Sequence, residues 1–219
     1  MGTLVKQSLV DQIYIQIRDD IIEQVIPWGK RLNVNELQDK FGISSTPIRE
    51  ALNRLQKEGL IEYKNNIGAS VISIEKKDII EIQEVALTLD CAAIRYAIEN
   101  GRIDEISNEL LHNIKNFQEA NDEIKRSESI EEFIRVFYKY ADNSRLIAMS
   151  KLIKGQQSML RSAYRKERDG MTSIDNHINI YNAVLEKNID SAVTSMEKEY
   201  KQATEILLNC LVHRKSSDS

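Results

Sequence analysis

The sequence predicts a mainly α chain, built as an N-terminal winged helix-turn-helix followed by an all-helical, six-helix C-terminal bundle. Three observations predict it. Both prolines and the single tryptophan fall before residue 50. The one stretch rich in β-branched residues, Ile67 to Ile74, closes that first part. From Asp78 onward apolar residues recur at helical spacing with only short polar breaks. A chain of 219 residues is long enough for two small domains, each with its own core. The expected division is 1–75 for the winged helix-turn-helix and 76–219 for the helical domain.

In the first part Leu9, Ile13, Ile17, Ile21 and Val25 share one helical face, and Pro27-Trp28-Gly29 is the expected end of that helix. Asn33 with Glu36 three residues on reads as a capping box opening a short second helix, which Gly42 closes after Phe41. The third helix starts in Ser44-Ser45-Thr46-Pro47, where first-turn amides lack intrahelical partners and proline costs little. It runs to Glu58 and stops at Gly59. Leu37, Phe41, Ile43, Ile48, Leu52 and Leu55 form the apolar set of two short helices packed across a tight turn, leaving Ser45, Thr46, Arg49 and Asn53 outward. Leu60 to Tyr63 and Ala69 to Ile74 read as two strands around the turn Lys64-Asn65-Asn66-Ile67-Gly68. The second part reads as six helices over 78–100, 103–125, 129–141, 143–168, 172–187 and 189–213. The breaks fall at Asn100-Gly101, Ser127 to Ser129, Asp142-Asn143, Asp169-Gly170 and Asn188.

A hydrophobic fraction of 42% with 8 Gly and 2 Pro excludes a disordered or collagen-like chain. Apolar runs such as Val85-Ala86-Leu87 are far short of the ~20 residues that cross a bilayer, so no membrane partner is expected. No apolar block stands among the first twenty residues, and no secretory signal is expected. Cys91 and Cys210 lie too far apart for a disulfide framework or a metal quartet, which fits a cytoplasmic location. Residues 1 to 74 carry 9 basic and 9 acidic side chains of the chain's 30 and 34, so the net charge of −4 belongs to the second part.

A helix entering the major groove needs small or hydrogen-bonding side chains at its start and a long cation one turn later to reach guanine O6 and N7. Ser45, Thr46 and Arg49 meet that specification, with Asn53 one turn beyond. Lys30 and Arg31 before the second helix, and Lys64 at the wing beside Asn66, are placed to neutralise phosphates. The alternative for Arg49 is an ion pair with a neighbouring acid on a solvated helix.

Pro27-Trp28-Gly29-Lys30-Arg31-Leu32, Glu36-Leu37, the run from Phe41 to Leu52, and Glu58-Gly59-Leu60-Ile61 resemble the DNA-binding signature of the GntR family of bacterial transcriptional regulators. In that family the third helix reads the major groove and the wing tip enters the minor groove. The resemblance implies those roles for Arg49, Thr46 and Gly68. Ser45 and Asn35 stand where many members carry arginine, which implies either an operator different from the common one or weaker binding to it.

The helical part is similar to the six-helix effector domain of the FadR subfamily. The similarity rests on Phe133, on Asn143-Ser144-Arg145-Leu146, and on His177, Ile180, Ala183, Ala192 and Met196. Such domains bind a small metabolite, and many hold a divalent metal through an Asp and a His four residues apart plus two later histidines. The four positions here read Ile130, Ile134, His177 and Glu199. Two aliphatic side chains cannot ligate, so no metal or other cofactor of the family type is expected. Ala86 stands where the resemblance implies the family's frequent arginine. Asp90, Tyr138, Arg161, His177 and Glu199 are the candidate effector contacts, against the plainer readings of a solvated face or a hydrogen-bonded core histidine.

The expected function is a ligand-responsive regulator that binds palindromic double-stranded operator DNA as a homodimer and senses a small metabolite in its helical domain. Two alternatives stand beside it. One is an enzyme housed in the helical domain. That reading lacks a nucleophile beside a base, a phosphate loop or a ligand cluster, and the adjacent acids Glu131-Glu132 and Asp122-Glu123 diverge on a helix. The other is a protein-binding module with a vestigial winged helix.

Overall fold

The computed structural model describes residues 8–64, 68–167 and 173–217. They form two compact units, one of residues 1–74 with 151–159, the other of 75–150 with 160–219.

In the first unit, α1 (Leu9–Ile22) begins at Ser8, whose side chain accepts from the Asp11 amide while Asp11 accepts from the Ser8 amide. The helix ends before Pro27. Gln24 N–H donates to the Ile21 carbonyl at 3.1 Å and Ile26 N–H to the Asp20 carbonyl at 2.9 Å, turning the chain and leaving Val25 exposed outside the helical face. α2 (Val34–Phe41) is capped by Asn33, which accepts from Asn35 N–H at 2.9 Å. Glu36 answers through the Asn33 side-chain amide at 3.4 Å rather than through its backbone. Gly42 closes the helix in the left-handed region at φ 67°, a conformation a Cβ would strain. α3 (Ser45–Lys57) buries Ile48, Ala51, Leu52 and Leu55 completely against α1 and α2. Phe41 and Ile43, read from sequence as core, are only half-buried.

Strands β1 (Ile61–Lys64) and β2 (Gly68–Val71) pair antiparallel, from Ile61 opposite Val71 to Lys64 opposite Gly68. A further pairing lies on the free edge of β2. Leu32 N–H donates to the Ala69 carbonyl at 2.8 Å, Val71 N–H donates to the Lys30 carbonyl at 2.9 Å, and Arg31 bridges Ser70.

In the second unit, α4 (Lys76–Glu99), α5 (Ile103–Glu119), α6 (Glu123–Tyr140), α8 (Asp175–Leu185) and α9 (Ile189–Ser217) surround one core. It is centred on Ile94, Ile106, Leu110, Phe133, Phe137 and Ile180. α7 (Ser144–Glu167) is shared between the units. The second and third sequence-predicted helices are corrected here: the break lies at 120–122, not at 127–129. Asp122 caps α6 by accepting from Lys125 N–H at 2.8 Å. Ser129 is buried inside the helix and returns its hydroxyl to the Lys125 carbonyl at 2.9 Å, so serine here does not interrupt. Asp122→Ala should lower Tm through loss of the cap, whereas Ser127→Ala should not. The predicted break at Asp169-Gly170 lies outside the described residues. No helix among the described residues is long and apolar enough to cross a membrane.

Candidate functional site

The outer face of α3 follows from its inner one. With Ile48, Leu52 and Leu55 turned inward, positions 46, 49 and 53 must point away, and Thr46, Arg49 and Asn53 are exposed. Ser45 is half-buried, less outward than its spacing suggests. The N-cap Ser44 makes no side-chain cap bond, so the first-turn amides of α3 are not covered by it.

The two arginines of α3 have different fates. Arg54 Nη1 lies 2.6 Å from Asp11 and its Nη2 3.4 Å from Glu50. Arg49 is exposed and, among the described residues, has no ion pair or hydrogen bond. Glu58 at the end of α3 accepts from Tyr14 and, at 3.2 Å, from Arg18, fastening α1 to α3. Burial and that carboxylate push the Tyr14 hydroxyl up to about 12. The acids near α3 are therefore occupied by partners other than Arg49.

Arg31 and Asn35 are exposed, the first carried on the edge of β2 and the second on the first turn of α2. Lys64 is also exposed and lies 2.7 Å from Glu62 on its own strand. Gly68 adopts φ 89° with open space where a Cβ would stand, which suits glycine at the wing turn. Asn66 lies outside the described residues. The pairing of Lys30 and Arg31 with β2 escaped the sequence reading, because a two-residue pairing next to glycine has no alternation to detect.

The helical unit holds a buried polar network. Asp90 on α4 is 4% exposed. It accepts from Tyr138 of α6 at 2.7 Å and from Tyr200 of α9 at 2.6 Å, one on each carboxylate oxygen. Burial raises the Asp90 carboxyl above the usual range, against the two hydroxyls and the Arg161 charge. Arg161 on α7 lies 3.6 Å from Glu131. Burial works against its cation, but Tyr200, Glu131 and Asp90 outweigh that and hold it charged.

Thus Asp90, Tyr138 and Arg161 come together as one group, joined by Tyr200 and Glu131, which the sequence reading left out. Tyr200 was findable, since it continues the helical row Ala192-Met196. Glu199 turns instead to Asn176, which donates to it at 2.8 Å.

His177 on α8 is 1% exposed and its Nδ1 has no hydrogen-bond partner among the described residues. Its ring meets Phe133 edge to face at 5.1 Å. It lines a narrow cleft among α5, α6 and α8, together with Asn113 and Ser129. Burial holds the His177 imidazole below the ordinary histidine range, with Glu199 opposing and Arg161 reinforcing the effect.

Below pH ~6.5 the unfolded chain therefore binds a proton that the folded chain refuses, and stability falls as pH falls, by at most ~1.4 kcal/mol per unit. His177→Gln removes this dependence. The difference in urea unfolding free energy between wild type and variant should shrink, or change sign, from pH 7.5 to pH 5.5. A difference independent of pH would contradict the buried neutral imidazole.

The family-type metal fails a fit test. Ile130 is half-buried and Ile134 buried, and both are aliphatic. Glu199 is engaged by Asn176, and among the described residues no group of three or more His, Cys, Asp or Glu could hold an ion.

Against this geometry stand the family comparisons. Residues 9–71 match the model of the bacterial regulatory proteins of the gntR family, and residues 81–201 match the FCD domain. The chain belongs to the GntR family. It is a helix-turn-helix transcriptional regulator with a C-terminal FCD domain, a class of DNA-binding regulators and not of enzymes.

Among its relatives is the uncharacterized HTH-type transcriptional regulator YdhC of Bacillus subtilis (strain 168), 25% identical over 94% of both chains. Another is the Nta operon transcriptional regulator of Aminobacter aminovorans, 26% identical over 87% of this chain and 93% of that one. The GntR-family fold recurs in the solved structure of E. coli McbR/YncC, with a TM-score of 0.75 and 20% identity over 93% of this chain and 99% of that one.

Proposed function

We propose that this regulator binds a palindromic double-stranded operator as a homodimer in the cytoplasm and responds to a small metabolite held in its helical domain. The observation that carries the DNA half is the exposed, unpaired Arg49 on the outer face of α3, beside an Arg54 that is pinned by Asp11. A guanidinium free of internal partners, one turn after Thr46, is available to guanine O6 and N7. Ser45 and Asn53 flank it and contact the neighbouring bases or sugars. Arg31, Asn35, Lys64 and Asn66 meet phosphates, and Gly68 lets the wing backbone approach the minor groove.

Two copies related by a twofold axis place two such helices about one DNA turn apart, which is why the operator is a palindrome. Support for the sensing half is the buried group of Asp90, Tyr138 and Arg161, with His177 and Glu199 placed apart from it in the same helical unit. Polar side chains of that number inside a bundle are a candidate ligand site. Ligand then shifts the bundle between arrangements that differ in operator affinity.

Selection from a pool of random duplexes tests the reading, with sedimentation of the selected complex. A palindromic site bound by two protomers is the expected result. A pool in which no sequence rises would reject it.

A further inference from the structure

We infer that the helical domain takes a small uncharged ligand, apolar in body and bearing one hydroxyl or N–H group that donates to His177 Nδ1. This rests on reading the domain as the sensor, but it is read out as ligand binding alone, so a failure of operator binding leaves it standing.

The walls set the class. Ile114 and Phe117 of α5, Ile130 and Phe133 of α6 and Ile174 before α8 make the surface apolar. Among the described residues, no Lys or Arg lines the space to neutralise a carboxylate, and no Asp or Glu lines it to neutralise an ammonium. A charged ligand would lose its hydration without a counterion, the dominant penalty in such surroundings. The charged groups nearest in effect, Glu199 and Arg161, act on His177 from outside the lining and are held by Asn176 and Glu131.

The polar atoms set the recognition. Asn113 donates to the Glu109 carbonyl at 3.0 Å and Ser129 to the Lys125 carbonyl at 2.9 Å, so both spend a hydrogen on their own helices. Among the described residues His177 Nδ1 has no partner, although its residue is 1% exposed. Buried polar atoms are almost always paired, and an imidazole that burial keeps neutral can present a lone pair to a donor. The Phe133 edge contact holds the ring plane, and with the ring proton on Nε2 the Nδ1 lone pair is left for a donor.

As the walls stand, the space is too narrow for a water molecule, so a ligand must part α5, α6 and α8 to enter. Occupancy is thereby coupled to helix spacing, which is how a molecule of this size could be sensed.

The test uses the full chain with phenol, benzene, benzoate and benzylamine as probes, followed by thermal shift and by the 15N resonance of His177 Nδ1. Phenol should bind saturably and move that resonance, with benzene weaker and the two ions inactive. His177→Phe should weaken phenol about tenfold, the scale of one lost hydrogen bond, and leave benzene little changed. Ile130→Trp, which fills the space from a half-buried position and keeps the imidazole, should abolish binding of both. Preferential binding of benzoate or benzylamine, phenol binding indifferent to both substitutions, or no binding of any probe up to its solubility would each overturn the inference.

Discussion

Asp90→Ala is expected to destabilise the protein by about 3–5 kcal/mol, the range for removing one partner of a buried charge group. The substitution strands two hydroxyls at once, those of Tyr138 and Tyr200, which now donate at 2.7 and 2.6 Å. It also strips Arg161 of one of the negative groups that keep it charged. The α4, α6 and α9 helices meet at this carboxylate, so the loss is global rather than local. Urea unfolding should show a lower midpoint with an unchanged slope. Asp90→Asn should lose less, because its amide oxygen still accepts from one tyrosine. Equal losses in the two variants would mean that the charge of Asp90 carries the stability. A loss under 1 kcal/mol in Asp90→Ala would mean that the network is not structural.

Arg49→Ala is expected to cost ~1–3 kcal/mol of affinity for the selected operator while leaving non-specific duplex binding nearly unchanged, since a base contact discriminates and a phosphate contact does not. Lys30→Ala should behave the other way. It should weaken all duplexes alike and reduce the dependence of log affinity on log salt by about 0.9. Arg54→Ala separates fold from reading. Its guanidinium is tied to Asp11 and Glu50 at the surface, where water screens ion pairs, so stability falls slightly and specificity stays. If Arg49→Ala lost affinity equally for every duplex, Arg49 would be a phosphate contact and the assignment of the reading face would shift to Thr46 and Asn53.

Local chemistry made the first unit legible. Asn33 and Gly42 each satisfy a helix end, and the apolar spacing of Ile48, Leu52 and Leu55 orients α3 without knowledge of the rest. Where several local readings compete, tertiary hydrogen bonds decided. The serines at 127 and 129 looked like a break, yet Asp122 supplies the cap and Ser129 bonds back within its helix. The edge pairing of Lys30 with Val71 depends on residues forty-one positions apart, and no short window of sequence contains both.

In the helical unit Asp90, Tyr138 and Arg161 could be named because polar groups within an apolar pattern stand out. Asn113 and Ser129 could not, since a small polar residue on a helix is ordinarily solvated. That His177 would lie apart from the Asp90 group, against Phe133 and with an unpaired nitrogen, depended on the packing of α8 against α5.

The most direct measurement is guanine N7 methylation interference on the selected operator. Because α3 is taken to read the major groove through Arg49, methylation at two guanines related by the operator's twofold axis should abolish binding, and Arg49→Ala should lose sensitivity at those two guanines. Binding indifferent to N7 methylation, with interference confined to adenine N3 in the minor groove, would contradict the account.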